Sequence, residues 1–576
     1  MIEFVDKHIL QNVFNSNEFK GYLISRRWFG DKFTLSNLDF SVSIEYFSNL
    51  STVIFLTVIK VEKPNYKKSY FLPMIAYRKL EDILEPNERN RDNMIKLAER
   101  TFSKTVIITV GTEEKVLTLN LLEAEFSLFF WKKMLFDKNV SESFPSLSLA
   151  LTLYQDQFDQ DEVSMGEVQA LIEASLFPDR YDLSIKQLGG GNTTNSLFLL
   201  NLIDKTDISR AISFVLKSYK EYVESIEPKI LYILVKNKFP NAPKIYGTIK
   251  ISGIETIGII ENIQNIGNIG DIFWNDVNKM IDDIFKDLDA DFSKFTNKSE
   301  ISDQIKEYFT ESINVSEQIG AFINKLHKSL SLPNVEEYSV EEVESAPYLE
   351  RYTERLNKVI SELQNKISLS SEKTFYSSPK IGSILLDIKD ILQKFRQQFK
   401  EEKIKIQIVH QDLHMEQILW NKSNNDQYNF YFIDFEGDPQ LTLQEKKAKF
   451  PIEKDVAAFL RALSYIKFNT FLYFVEKRIL ETEQRQVPEE ILYSIFFRKS
   501  ARGKELDKVL EKVLMTLNVW EEKLMTKLLK ALKPNITLTN YFTIERALNE
   551  LNYELLFRPN KIIVPILGLK QIIEKN

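Results

Sequence analysis

The residues able to do chemistry concentrate in one stretch, "IKIQIVHQDLHMEQILWNKSNNDQYNFYFIDFEGDP", residues 404–439. The chain has four histidines in 576 residues, and two of them, His410 and His414, stand here beside Asp412, Asp434 and Glu436. Two carboxylates at the ends of neighbouring strands suit a division of labour: one orients and deprotonates a hydroxyl while the other holds a metal ion. Ile404, Ile406 and Ile408 alternate, so "IKIQIV" reads as a half-buried strand delivering His410 and Asp412. "NFYFIDFEGD" (429–438) reads as a second strand, with the polar "NKSNNDQY" before it. If these two strands pair, Asp412 and Asp434 reach the same rim. A solvated hairpin with turn carboxylates is the plainer alternative. His410 and His414 also have the i, i+4 spacing of a helical zinc pair, but the zinc-protease motif needs Glu where Gln411 stands, and no third histidine is near.

The spacing favours phosphoryl transfer over these alternatives. A kinase catalytic loop carries His-x-Asp and, five positions after the Asp, an amide residue that ligates Mg²⁺; the next strand ends in Asp-Phe-Gly, whose Asp is a second ligand. Here His410-Gln411-Asp412 is followed five residues on by Gln417, and Asp434-Phe435-Glu436-Gly437 stands where the metal motif belongs.

A nucleotide then needs somewhere to put its phosphates. Glycine is scarce, 17 residues in all, about half the usual frequency, so the consecutive Gly189, Gly190 and Gly191 ask for a reason. A bare hairpin turn is one. The other is that "GGGNTTN" lets backbone N–H groups and the side chains of Asn192, Thr193 and Thr194 approach phosphates. No Gly-Lys-Ser/Thr follows, so this is not a Walker loop. Lys217 ends the run "AISFVLK", where a kinase places the lysine that pairs with the α and β phosphates. "IGIIENI" (257–263) falls where a connection between lobes would expose backbone groups to adenine, with Glu261 and Ile263 as contacts through their main chains.

Other elements must position these residues. The apolar runs "STVIFLTVIKV" (51–61) and "KTVIITVGTEEKVLTL" (104–119, turning at 111–114) predict a sheet-bearing first domain. A polar stretch, "DKNVSESFPSLS", puts a division near 140–150. "DLSIKQLGGGNTTNSLFLLNL" (182–202) predicts strand, turn, strand; "RAISFVLKSYK" a third strand; "EPKILYILVKNK" a helix; "KIYGTIKIS" and "IETIGIIENIQ" two further strands. From about 270 onward apolar residues recur at three and four, the helical period. The expected organisation is α+β, with domains at 1–145, 146–263 and 264–576.

Bulk properties narrow the classes. A chain of this length exceeds one hydrophobic core. With 75 basic against 82 acidic residues the net charge of −7 has the wrong sign for a dedicated nucleic-acid binder. No run of about 18 apolar residues suggests a membrane span, and the early acids of "MIEFVDKHILQNVF" give no secretory h-region, so a cytoplasmic protein is expected. The absence of cysteine excludes disulfides, thiolate-bound zinc and thiol nucleophiles. Together with scarce glycine and abundant Ile, Lys and Glu it also fits an organism that lives hot.

Several segments resemble one family. "HQDLHMEQILW" and "FIDFEGDP" are similar to the "HGDLHxxQ" and "IDFEGEP" signatures of maltokinases and the related glucosamine kinases, in the aminoglycoside-phosphotransferase-like branch of the protein-kinase fold. "RRWFGDK" (26–32) resembles the "RWFxGK" of their N-terminal cap, "FPIEKDVAAFLRALSYI" (450–466) their "SPLRDVAGMLRSFDYA", and "ELNYELLFRPNKIIVPI" (550–566) their "EVVYEARNRPxWLxIPL". Three departures stand out. Gln411 replaces the usual glycine, "GGGNTTN" replaces a loop often written "EQSNTS", and the acid of "NPDxE" that would partner Lys217 has no clear match, with Glu224 and Glu227 both nearby.

The resemblance implies a bilobal, protein-kinase-like fold with an extra cap domain, ATP between the lobes, and Mg²⁺ on Gln417 and Asp434. It makes Asp412 the catalytic carboxylate, with His414 and Glu436 hydrogen-bonding a sugar. Tyr553, Glu554 and Arg558 occupy the family's "YE…RP" positions, where one or two could reach that sugar; Arg558 could instead lock its helix to a neighbour, and His414 could be a packed core histidine. Arg26, Arg27 and Trp28 read as structural or lid-forming. The implied reaction is maltose to maltose 1-phosphate, with glucosamine or another hexose as the alternative acceptor and a functional partnership with a trehalose synthase, although none is fused here. A catalytically silent binding protein is the reading from another class. Holding an ammonium needs a carboxylate with no other partner, and Glu436 and Glu554 do not decide that point.

Overall fold

The structure is a computed structural model that describes residues 5–30, 35, 37–64, 66–84, 88–110, 113–136, 149–153, 162–189, 194–287, 291–369, 379–423, 427–477, 504–558 and 561–575. It divides into two compact units, one of Met1–Val235 with Pro243–Ile263 and one of Lys236–Ala242 with Gln264–Asn576. The expected division near 140–150 falls largely on 137–148, outside the described residues.

The first unit holds two antiparallel sheets. In the N-terminal one the strands run in the order Ser41–Asn49, Ile54–Lys63, Met74–Tyr77, Glu113–Glu123, Thr101–Val110, with Tyr66–Phe71 also on Ile54–Lys63. The expected hairpin is present, Val110 opposite Glu113. The strand Ile54–Lys63 shows why "IFLTVIKV" is apolar throughout. Successive side chains point to opposite faces, and both faces are covered: Ile54, Leu56 and Val58 enter one core, while Phe55, Ile59 and Val61 enter the other. The second of these cores takes Leu10, Phe14, Phe19 and Leu23 from the first two helices.

The other core continues through Phe130 and Trp131 of the helix Leu128–Phe136 to Phe198, Leu200, Phe214 and Leu216 of the second sheet. Both sheets thus share one apolar core. The second sheet has the order Leu149–Leu153, Ile245–Ile251, Ile254–Glu261, Asp207–Ser218, Ser196–Asp204, Tyr181–Leu188. The helix Glu227–Lys236 follows the lysine strand Asp207–Ser218 in sequence. Just beyond that strand, Phe71 N donates to Lys220 O at 2.8 Å and Tyr222 N to Ser69 O at 2.8 Å. Lys220 and Glu125 form an ion pair with both side chains at 0% exposure, and Ser218 donates to the same carboxylate. Such a pair is costly to desolvate, and removing one partner is expected to destabilise more than replacing both.

The second unit is helical, with two small sheets. The helix Glu453–Val475 runs through its interior and is buried on nearly every side. Four of its charges are paired: Lys454 with Glu545 at 2.8 Å, Arg461 with Glu550 at 2.9 Å, Lys467 with Glu521 at 2.7 Å and Asp455 with His327 at 2.9 Å. Burial without partners would expel these groups. The expected pairing of the 404–408 run with the 429–438 run does not form. Lys403–Ile406 pairs with Glu341–Glu344, and Tyr428–Phe432 pairs with Ile418–Lys422. The physical reason is the short separation in sequence of Ile418–Lys422 and Tyr428–Phe432, which favours pairing of adjacent strands; at the end of that ladder Ser423 N donates to Gln427 O at 2.9 Å. Among the described residues no helix is long and apolar enough to cross a membrane.

One unit thus carries an antiparallel sheet whose lysine strand is followed by a helix, and the other is helical and holds the acidic loop and turn. The described elements make an α+β protein, with an additional sheet N-terminal to the one that carries Lys217.

Candidate active site

The loop after Lys403–Ile406 is held from below by Asp455. Its Oδ2 accepts from His410 N at 2.9 Å, its Oδ1 from Gln411 N at 2.8 Å, and His327 Nε2 lies 2.9 Å from Oδ2. Burial opposes the charged form, but the hydrogen bond and charge of His327 and the His410 amide hold the Asp455 carboxyl below its ordinary value. The His410 ring packs 4.8 Å from the Phe435 ring, with Nε2 2.9 Å from the carbonyl of Ile433, and so ties the loop to the acidic turn.

Two non-glycine residues here have left-handed backbones, Gln411 with φ 70° and Asp434 with φ 65°. This region costs an ordinary residue about 1–2 kcal/mol. At Gln411 the cost is offset by a hydrogen bond from its Nε2 to Lys446 O at 2.6 Å. Such strain marks places where surrounding structure dictates backbone direction, and it clusters at functional sites.

The turn of Asp412 brings its side chain to Arg546, whose Nη1 stands 2.5 Å from Oδ1; Oδ2 is 3.8 Å from His414 Nε2. Gln417 Nε2 donates to Asp434 Oδ2 at 3.0 Å and lies 3.4 Å from His414 Nε2. Asp412, His414, Gln417 and Asp434 therefore form one chain of contacts. Burial pushes the His414 imidazole below its ordinary value, against the pull of Asp412. Glu436 is half-buried two residues beyond Asp434.

In the first unit, Lys217 Nζ lies 2.7 Å from Glu227 Oε2, with side-chain exposures of 7% and 2%. Tyr219 donates to the same carboxylate oxygen at 2.9 Å. Glu224 instead pairs with Lys229 at 2.7 Å. Of the two candidate acids, Glu227 is thus the partner of Lys217. Side chains alternate along the strand, so Lys217 and Tyr219 face Glu227 while Ser218 and Lys220 face Glu125. Gly190, Gly191, Asn192 and Thr193 lie outside the described residues. At their flanks Gly189 has φ 72°, Thr194 is exposed, and Asn195 Oδ1 accepts from Lys220 N at 3.1 Å. Glu261 closes its strand with two bonds to Lys244, N to O at 2.8 Å and Lys244 N to Oε2 at 3.0 Å; Ile263, beyond the strand, is half-buried.

Near the C-terminus, Glu554 is 1% exposed. It accepts from Tyr465 at 2.7 Å and from Arg558 at 2.8 and 3.0 Å. Arg558 also lies over the ring of Tyr553 at 5.2 Å. Arg558 therefore bonds within its own helix, and Tyr465 is the residue that links Glu554 to the neighbouring helix, while Tyr553 keeps a half-exposed ring.

Sequence reasoning overlooked Arg546, Asp455, Asp438 and Glu550. Asp438 is 2% exposed, accepting from Gln440 N at 2.9 Å and Asn549 at 3.2 Å. Burial and the charge of Asp412 push its carboxyl up, with Arg546 opposing. A signal existed for Arg546 and Glu550: with Tyr553 and Glu554 they fall at i, i+4, i+7 and i+8, one face of a helix.

The donor set suits magnesium: Gln417 and Asp434 are adjacent, both offer oxygen, and no thiolate or imidazole pair competes for a softer metal. Lys217 predicts a further result. If Lys217 is the phosphate lysine that the sequence suggests, Lys217→Met should lower kcat/KM for nucleotide by about 10²-fold, an electrostatic loss of the usual size for such groups; initial rates over a nucleotide titration check it.

No family model and no curated protein matches the chain. Solved structures do. A glucosamine kinase in complex with glucosamine, ADP and inorganic phosphate is 10% identical over 92% of this chain and 93% of that one, TM-score 0.46. A Plasmodium vivax ethanolamine kinase is 13% identical over 72% and 89%, TM-score 0.30. A thermostable aminoglycoside phosphotransferase in ternary complex with ADP and hygromycin B is 10% identical over 70% and 98%, TM-score 0.32.

Proposed function

We propose that the chain is an ATP-dependent kinase of a small hydroxylated acceptor, and that the acceptor is a sugar, with maltose converted to maltose 1-phosphate. The observation that carries this is the contact chain Asp412, His414, Gln417, Asp434, closed by the 3.0 Å bond that Gln417 Nε2 donates to Asp434 Oδ2. Lys217, held by Glu227, is assigned the nucleotide's phosphates. Gln417 and Asp434 would hold Mg²⁺, which when bound neutralises charge on the transferring phosphoryl group.

Asp412 receives or orients the acceptor's hydroxyl proton. A carboxylate is a feeble base toward a free hydroxyl, so most of the acceleration comes from alignment and charge stabilisation. His414 and Glu436 are assigned hydrogen bonds to the sugar, and Tyr553 a stacking contact. Glu554 supports a neutral acceptor, because its buried carboxylate already accepts three hydrogen bonds from Arg558 and Tyr465 and its charge is paired with that of Arg558. Glucosamine remains the second reading.

ADP formation should depend on both Mg²⁺ and sugar: chelation with EDTA abolishes it, added magnesium restores it, and maltose supports it better than glucosamine or glucose. Sugar-independent ADP release at an unchanged rate would contradict the proposal.

A further inference from the structure

Arg546 lies on the helix Ile536–Phe557, and nothing in the reaction as assigned so far employs it. Its guanidinium takes one oxygen of Asp412, Nη1 to Oδ1 at 2.5 Å, and its Nε lies 3.7 Å from Glu550 Oε1. The other oxygen of Glu550 accepts from Arg461 Nε at 2.9 Å. Arg461 is itself fixed. It is 1% exposed, and Gly568 packs so close that a Cβ there would stand 2.5 Å from Nη1. A series of charged contacts therefore runs from the buried helix through Arg461 and Glu550 to Arg546, the Glu550–Arg546 step being an ion pair at 3.7 Å, and ends on a single oxygen of Asp412.

The other oxygen is differently placed. Oδ2 has His414 Nε2 at 3.8 Å, beyond hydrogen-bond length. A carboxylate free to rotate offers two equivalent oxygens; one clamped by a guanidinium offers one, in a fixed direction. We propose that Arg546 is a positioning residue that reserves Oδ1 of Asp412 and so makes Oδ2 the oxygen that receives the acceptor hydroxyl. This rests on the kinase reading of the site. The contribution is orientation, and misplacement of a reacting group by a fraction of its contact distance is enough to slow a step severely.

A merely structural ion pair would be felt in folding and in all ligands alike, whereas a positioning pair is felt in turnover. The test uses the full chain with ATP, Mg²⁺ and the accepted sugar, comparing Arg546→Met, Arg546→Lys and Glu550→Gln with the parent. Arg546→Met should lower kcat by about 10²-fold while nucleotide affinity holds. Arg546→Lys, which keeps the charge but loses the fork, should fall between the two. Glu550→Gln should show a smaller loss of kcat, and millimolar methylguanidinium should restore part of the turnover of Arg546→Ala. Thermal melting accompanies each variant, and Arg546→Lys serves if the methionine variant fails to fold. Parental kcat in Arg546→Met would overturn the proposal. So would loss of kcat, nucleotide affinity and melting temperature together in Arg546→Lys. An inactive parent would instead overturn the kinase reading, recognisable from the parent alone, and this proposal with it.

Discussion

Asp412→Asn is expected to lose turnover by about 10²–10⁴-fold, the range of a positioned acid or base, while binding nucleotide nearly as the parent does. The reasoning is local. Asp412 contacts Arg546 and His414, whereas the candidate magnesium ligands Gln417 and Asp434 bond to each other. The amide keeps the shape and one oxygen but removes the charge that Arg546 faces, so some reorientation of the guanidinium accompanies the loss. Steady-state rates with a parallel nucleotide titration check it. Equal loss of rate and nucleotide affinity would mean that the acid at 412 belongs to the nucleotide rather than to the acceptor.

Asp455→Ala should be as damaging by another route. The substitution strands three buried donors at once: the amides of His410 and Gln411, and His327 Nε2. Breaking a buried, hydrogen-bonded charge in this way costs about 3–5 kcal/mol, so the urea midpoint should fall steeply. In whatever folds, the loop carrying Asp412 loses its anchor, and kcat should drop by a further ~10²-fold because a small displacement of a catalytic group has that effect. Asp455→Asn, which keeps one acceptor, should lie between. A variant that unfolds at the parental midpoint with full activity would show that the loop is held by something else.

The loop was legible in the sequence and its supports were not. His-x-Asp, the amide five residues on and Asp-Phe-Glu-Gly advertise themselves through spacing along the chain, and Gln417 and Asp434 duly meet. The strands flanking the glycine run were legible for a similar reason: period-two alternation, as in Ser196–Asp204, whose burial alternates without a fault. Strand partners were harder. Ile404, Ile406 and Ile408 announced a strand, but alternation says which face is buried and nothing about which neighbour pairs, so Glu341–Glu344 could not be foreseen as the partner. The acid for Lys217 stayed open between Glu224 and Glu227 because only two residues separate them and the helix start at Glu227 decides which side chain turns toward the strand. Arg546 and Asp455 reach the loop from helices 134 and 45 residues away in sequence. Such contacts are properties of packing, which single-sequence periodicity does not encode.

The central claim is phosphoryl transfer from ATP to a sugar hydroxyl at Asp412. Phosphorus NMR of the products, after incubation of the full chain with ATP, Mg²⁺ and, separately, maltose, glucosamine and glucose, tests it most directly. The account predicts a new anomeric phosphate signal with maltose, absent when Asp412→Asn replaces the parent. ADP without any sugar phosphate would contradict phosphoryl transfer to sugar, and product from glucosamine alone would contradict the neutral acceptor and return attention to Glu436.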